Sequence, residues 1–212
     1  MKRKKSGLGK HLLSVVILLN LNMKSQPVPV EIMTGSEYFF YQHSVSKSVS
    51  GPKLGFFNTS SLIAPYKPER KSELMSQSYF TYALKRSIKV GIGSFYASVP
   101  KFSPSAHIQF LKVGKNFLLL VVPRIDLKSN PSHDLMVLAE YKPKLFGTLK
   151  LHTRLQTMLN FTKTKHNRSY QNFRLGIDFK NFQAGFAINC DAYGNEFSYF
   201  TNYGIYIKKD LF

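Results

Sequence analysis

The sequence predicts an all-β chain closed into an antiparallel, up-and-down transmembrane β-barrel of about twelve strands, with ten as the alternative. Three observations predict it: a sustained two-residue alternation of apolar and polar positions, a polar face built from small and amide side chains, and connections that alternate between short and long. The alternation is clearest from Gly147 onward. Leu149, Leu151, Thr153, Leu155, Thr157, Leu159 and Phe161 fall on one face, and Lys150, His152, Arg154, Gln156, Met158 and Asn160 on the other. The next run sets Phe173, Leu175, Ile177 and Phe179 against Asn172, Arg174, Gly176 and Asp178. A third sets Phe182, Ala184, Phe186, Ile188 and Cys190 against Gln183, Gly185, Ala187, Asn189 and Asp191. A fourth sets Phe197, Tyr199, Tyr203, Ile205 and Ile207 against Ser198, Asn202, Gly204 and Lys208. A period of two places successive side chains on opposite faces of a strand. The apolar face is inside in a soluble sandwich and outside in a membrane barrel. Gly, Ala, Asn and Gln dominate the polar face here, which suits a crowded lumen better than a solvated surface.

In chain order, residues 1–25 read as a secretory signal peptide. Lys2, Arg3, Lys4 and Lys5 form its positive start, and residues 12–21 form an apolar core too short to cross a bilayer of about 30 Å as a helix. Ser25 then precedes Gln26, the expected cleavage point, and residues 26–212 form the barrel. Residues 28–33 are extended, with Pro27 and Pro29 restricting them to an edge or lead-in, and are the candidate twelfth strand. Residues 36–47 and 53–63 are strands separated by Ser50-Gly51-Pro52, and the charged stretch 65–76 reads as a loop. Residues 77–85 and 88–99 form a hairpin through Arg86-Ser87, with 100–104 as a loop. Residues 105–113 and 116–126 pair across Gly114-Lys115. A loop at 128–133 precedes a strand at 134–142 that turns at Pro143. Counted back from the end, short connections alternate with longer polar ones at 191–195, 162–169, 128–133, 100–104 and 64–76. Short turns on one rim and longer loops on the other are the asymmetry of an outer-membrane barrel, and an even strand number puts both ends on the short-turn rim. Tyr141, Tyr170, Tyr193 and Tyr199 lie near strand ends and suit an interfacial aromatic girdle.

The composition excludes several classes. The single Cys190 rules out an internal disulfide framework, and no Cys/His set spaced for zinc exists. The formal charge of +19 invites nucleic acid, but the basic residues are scattered and follow no helical stripe, so no nucleic-acid partner is expected. Ser132-His133-Asp134 has the residue types of a hydrolytic triad without its geometry, because neighbours on an extended chain point in different directions. His43, His107, His152 and His166 are spread over different segments, so no catalytic, cofactor or metal site is expected. The lumen-side charges Glu140, Lys150, His152, Arg154, Arg174 and Asp178 lie on the polar faces of three neighbouring strands. Buried charges have to be paired or solvated, so they are expected to form a network that locks the barrel.

The signal segment ending Lys24-Ser25-Gln26, the strand meander to the last residue, and the terminus from Asn202 to Phe212 together resemble the small outer-membrane β-barrel proteins of Gram-negative bacteria, of the kind frequent in the Bacteroidetes. The resemblance implies that Asn202, Gly204, Ile207 and Phe212 form the terminal signal read by the barrel-assembly machinery, with Lys208, Lys209 and Asp210 departing from the pattern. It implies outer-membrane lipid as surroundings, a non-enzymatic role as a narrow pore, structural barrel or subunit of an outer-membrane complex, and no cofactor. A membrane-embedded lipid acyl hydrolase and a secreted soluble barrel binding a lipid or small ligand are the alternatives.

Overall fold

Alternating side chains give each strand two unlike faces, and the chain satisfies both by rolling one sheet into a ring. The computed structural model describes residues 27–180 and 182–211. Its strands are β1 (Val28–Gly35), β2 (Tyr38–Ser50), β3 (Leu54–Pro65), β4 (Glu73–Lys85), β5 (Ile88–Ala97), β6 (Lys101–Val113) and β7 (Phe117–Asp126), followed by β8 (His133–Tyr141), β9 (Lys144–Phe146), β10 (Leu149–Phe161), β11 (His166–Phe179), β12 (Phe182–Tyr193) and β13 (Ser198–Leu211). Neighbours pair antiparallel in sequence order, and β1 closes the ring against β13 from Val28↔Leu211 to Gly35↔Gly204. The three-residue β9 only borders the base of β10, so the wall is a closed barrel of twelve strands. The segment at 28–33 is therefore a full wall strand, covered on both edges. At the closing seam a Cβ on Gly204 would lie 2.0 Å from the Thr34 carbonyl oxygen, so β13 approaches β1 this closely only with glycine there.

The two faces are sorted as the alternation predicts. His152, Arg154, Gln156, Asn172, Arg174, Gln183, Asn189 and Asn202 are buried inside, whereas Leu155, Phe173, Leu175, Phe186, Tyr203 and Ile205 are exposed on the outside. Phe186 is 72 % exposed while Arg174 is 0 % exposed, an inversion of the soluble pattern. Cys190 shares the outward face of Phe186 and Ile188.

Several connections are shorter than the sequence suggests. The loop expected at 65–76 spans only 66–72, because Glu73 and Leu74 pair with Ile63 and Leu62. The stretch 100–104 is mostly strand: Pro104 sits opposite Ser94, and its carbonyl accepts from the Leu127 N–H (2.7 Å). β11 begins at His166, inside the expected loop 162–169. In each case part of the polar stretch that suggested a loop is strand, with Glu73, Ser103 and Arg168 turned into the lumen. Phe197, placed on the last strand by its spacing, instead turns at φ 50° before β13 starts. The expected girdle also divides. Tyr141 and Tyr199 are exposed, but Tyr170 is buried inside and Tyr193 bonds Glu73. The loops 66–72 and 127–132 lie on one rim; the turns 51–53 and 86–87 lie on the other, together with the described ends of β1 and β13. The signal segment 1–25, Gln26, Asn181 and Phe212 lie outside the described residues.

Candidate functional site

The interior concentrates the buried charges of this fold, and three clusters occupy it. The first contains most of the expected network, divided in two. Glu140 on β8 receives Lys142 Nζ at 2.8 Å on Oε1, while His152 Nε2 lies 3.0 Å and Lys208 Nζ 3.8 Å from Oε2. Asp178 accepts from Lys142 Nζ (3.4 Å) and Gln183 Nε2 (3.0 Å), and His152 Nδ1 lies 2.5 Å from the Tyr206 hydroxyl. Arg154 and Arg174 belong to the other part, centred on Glu31 of β1. Arg154 Nη2 donates to Glu31 Oε2 (2.5 Å) and Arg174 Nε to Oε1 (2.9 Å), one arginine per carboxylate oxygen. Arg174 Nη1 also donates to Asn189 Oδ1 (2.7 Å) and the Phe173 carbonyl (2.8 Å). Lys150 is exposed near the short-turn rim and has no carboxylate within salt-bridge distance among the described residues.

The second cluster reverses the signs. Arg124 on β7 donates through Nη1 to Asp126 Oδ1 (2.6 Å) and through Nε to Asp134 Oδ2, with its guanidinium 4.0 Å from the Phe95 ring centre. Lys128 Nζ caps Asp126 at 2.9 Å and reaches Ser103 Oγ at 3.0 Å. The third cluster bars the mouth at the longer-loop rim. Arg168 on β11 donates to Asp191 (2.5 Å) on β12 and to Glu73 (3.1 Å) on β4; Tyr193 and Tyr38 donate to Glu73 and Asp191, each at 2.9 Å. In the ring order β4 stands directly across from β11, so the Arg168–Glu73 contact joins opposite walls.

Apolar side chains fill the space between. Met33, Tyr38, Phe40, Ile63, Ala187 and Tyr206 form one buried group inside the ring, with the Arg174 guanidinium 5.9 Å from the Phe40 ring centre. The cavity beside it, bordered by Gln42, Ser61, Tyr170 and Asn172, measures about 20 Å³. That holds about one water molecule.

Catalytic geometry does not assemble from the expected candidates. Ser132 and Asp134 both turn inward and accept from Asn160 Nδ2, and Asp134 is also bound to Arg124, whereas His133 turns to the other face and stacks on Phe161 (5.6 Å), so no imidazole stands between hydroxyl and carboxylate. No group of His, Cys, Asp and Glu suited to a metal ion occurs among the described residues. Asn202 is 0 % exposed and caps the β1–β2 turn: its Oδ1 accepts from Glu37 N (2.8 Å) and Tyr38 N (3.3 Å), and its Nδ2 donates to the Tyr38 carbonyl (3.1 Å). Ile207 faces outward. Glu31, Arg124, Asp126, Asp134 and Arg168 are among the interior charges that the sequence reading did not gather, with Glu73, Lys128 and Lys142. Their signal is the same parity: Glu31 alternates with Val30 and Ile32, and Arg124 with Pro123 and Ile125.

No family model and no curated protein sequence matches the chain. Among solved structures it is similar to a NanC porin, at 13 % identity over 88 % of this chain and 98 % of that one, with a TM-score of 0.52. It is likewise similar to KdgM porin in complex with disordered oligogalacturonate (9 % identity, 88 % and 100 % covered, TM-score 0.51) and to KdgM porin alone (9 %, 88 % and 100 %, TM-score 0.50). At these identities the shared feature is the fold, a closed antiparallel barrel of the outer-membrane porin kind.

Proposed function

We propose that the chain is an integral barrel of the Gram-negative outer membrane, non-enzymatic, whose lumen its own side chains seal. It serves as a structural barrel or as a subunit of an outer-membrane complex. The observation that carries this reading is the contact between opposite walls, Arg168 to Glu73 at 3.1 Å, above an interior already filled by the Glu31 triad and its apolar neighbours. The apolar outer wall supports the membrane setting, because exposed surface of this kind is stable in lipid and not in water. The resemblance to Bacteroidetes barrels rests on the signal segment and the terminal strand. Asn202, Gly204, Ile207 and Phe212 are proposed as the contact with the barrel-assembly machinery. The charges Glu140, His152, Arg154, Arg174 and Asp178 are proposed as a structural lock, with Lys150 at its border. The porin fold favours a second reading, a narrow pore.

Vesicle swelling tests the two against each other. Proteoliposomes holding the folded protein, verified by a mobility change on boiling, are expected to take up small sugars no faster than empty vesicles. Swelling at rates that scale with protein content establishes the pore instead, and recovery from the soluble periplasm without detergent removes the membrane setting.

A further inference from the structure

One sector of the outer wall does not match the lipid that surrounds the rest. On β10 to β13 the outward positions midway along the strands are apolar, as at Leu155, Phe173, Phe186 and Ile205. On β2 to β5 the corresponding positions form two polar rungs. His43 pairs with Ser60 and Ser60 with Ser76; Asn58 pairs with Ser78 and Ser78 with Ser94. Apolar rungs bound this island on both sides along the strands. Tyr41, Leu62 and Leu74 lie towards the longer-loop rim, and Phe56, Phe80 and Ile92 towards the short turns. Phe80 is 67 % and Ile92 63 % exposed, so the island lies within the outward-facing apolar band and not in a headgroup zone.

Internal bonds satisfy only part of it. Asn58 Nδ2 donates to Ser78 Oγ and the Gln77 carbonyl, each at 2.9 Å, and the Ser60 and Ser76 hydroxyls lie 2.8 Å apart. Each hydroxyl has one donor and two acceptor sites, so acceptors remain on the outer surface. Hydrocarbon supplies no partner for such groups, whereas small and polar residues meeting across a membrane contact do.

We propose that the island is the contact for a second copy of this chain within the membrane. The proposal rests on the membrane setting given above. Copies inserted the same way round are related by a two-fold axis along the membrane normal, and an isologous contact places one patch against itself. An island centred on that axis meets its own equivalent, and the surrounding apolar residues meet theirs. Ser and Asn carry both donors and acceptors, so the same surface serves as either partner. The serines and asparagine carry no charge to oppose the approach.

The test uses the full chain with Cys190→Ser, reconstituted in lipid vesicles and treated with a membrane-permeant oxidant. Ser78→Cys is expected to give a disulfide-linked product of twice the mass. Leu175→Cys, outward on the opposite strand β11, is expected to stay single. Asn58→Leu with Ser78→Leu is expected to weaken self-association in lipid discs by about tenfold, with the boiling-dependent mobility change reporting that the variant folds. A single-chain mass in lipid, equal cross-linking at both cysteines, or cross-linking in whole membranes only to a different protein overturns the proposal. A protein that floats with vesicles as a single chain refutes the dimer alone; one that does not associate with vesicles refutes the membrane reading as well.

Discussion

Replacing Glu31 by alanine is expected to destabilise the barrel by about 3–5 kcal/mol, the range for breaking a buried ion pair and leaving its partner uncompensated. Glu31 is 3 % exposed and holds Arg154 on one oxygen and Arg174 on the other. Removing it leaves two guanidinium groups facing each other in a closed space. Arg174 keeps Asn189 and a backbone carbonyl, and Arg154 loses the one carboxylate to which it donates. The measurement is the temperature at which the compact, unboiled gel band converts to the unfolded one. Glu31→Leu combined with Arg154→Met and Arg174→Met is expected to recover most of the loss, because a buried ionic group replaced whole by apolar residues costs little. A Glu31→Ala barrel within about 0.5 kcal/mol of the parent would mean that water reaches the arginines, as in an open lumen.

Arg124→Ala is the mirror experiment and is expected to cost a similar amount, about 3–5 kcal/mol. Here one arginine holds two aspartates, Asp126 and Asp134, whose side chains are 2 % and 8 % exposed. Lys128 compensates Asp126 in part, so Asp134 carries most of the penalty. Arg124→Ala with Asp134→Ala is therefore expected to be more stable than Arg124→Ala alone, a sign reversal that independent sites do not give. Loss of the guanidinium packed on Phe95 also opens a void, which the double variant does not repair. Equal stability of the single and double variants, followed by thermal unfolding, would show that the aspartates are hydrated.

How much of this was legible depended on whether a feature is local in sequence. The facing of each side chain was, because parity along a strand is fixed by the backbone: Arg154 and Arg174 go inside and Leu155 and Leu175 go outside. Twelve strands followed from the same parity once 28–33 joined the wall. Partner choice was not legible. Arg154 is the direct cross-strand neighbour of both Glu140 and Arg174, which suggested local pairing, yet both arginines reach Glu31 on β1, three and four places round the ring and brought within reach across the lumen only when the ring closes. The same long reach joins Arg168 to Glu73, 95 positions away. Loop ends were over-extended because a polar residue such as Glu73 reads as solvent-facing when no lumen is in view. The polar island on β2 to β5 was legible as residues but not as a patch, since only the register puts Asn58, Ser78 and Ser94 in one row.

Planar-bilayer recording of the unmodified, folded protein tests whether the lumen is sealed. Insertion is verified on the same sample by the mobility change on boiling. With Arg168 joined to Glu73 across the mouth and Glu31 held between Arg154 and Arg174 in the interior below it, the trace is expected to stay at the bare-membrane baseline in both polarities. Steady, stepwise currents that scale with the number of inserted barrels would contradict it.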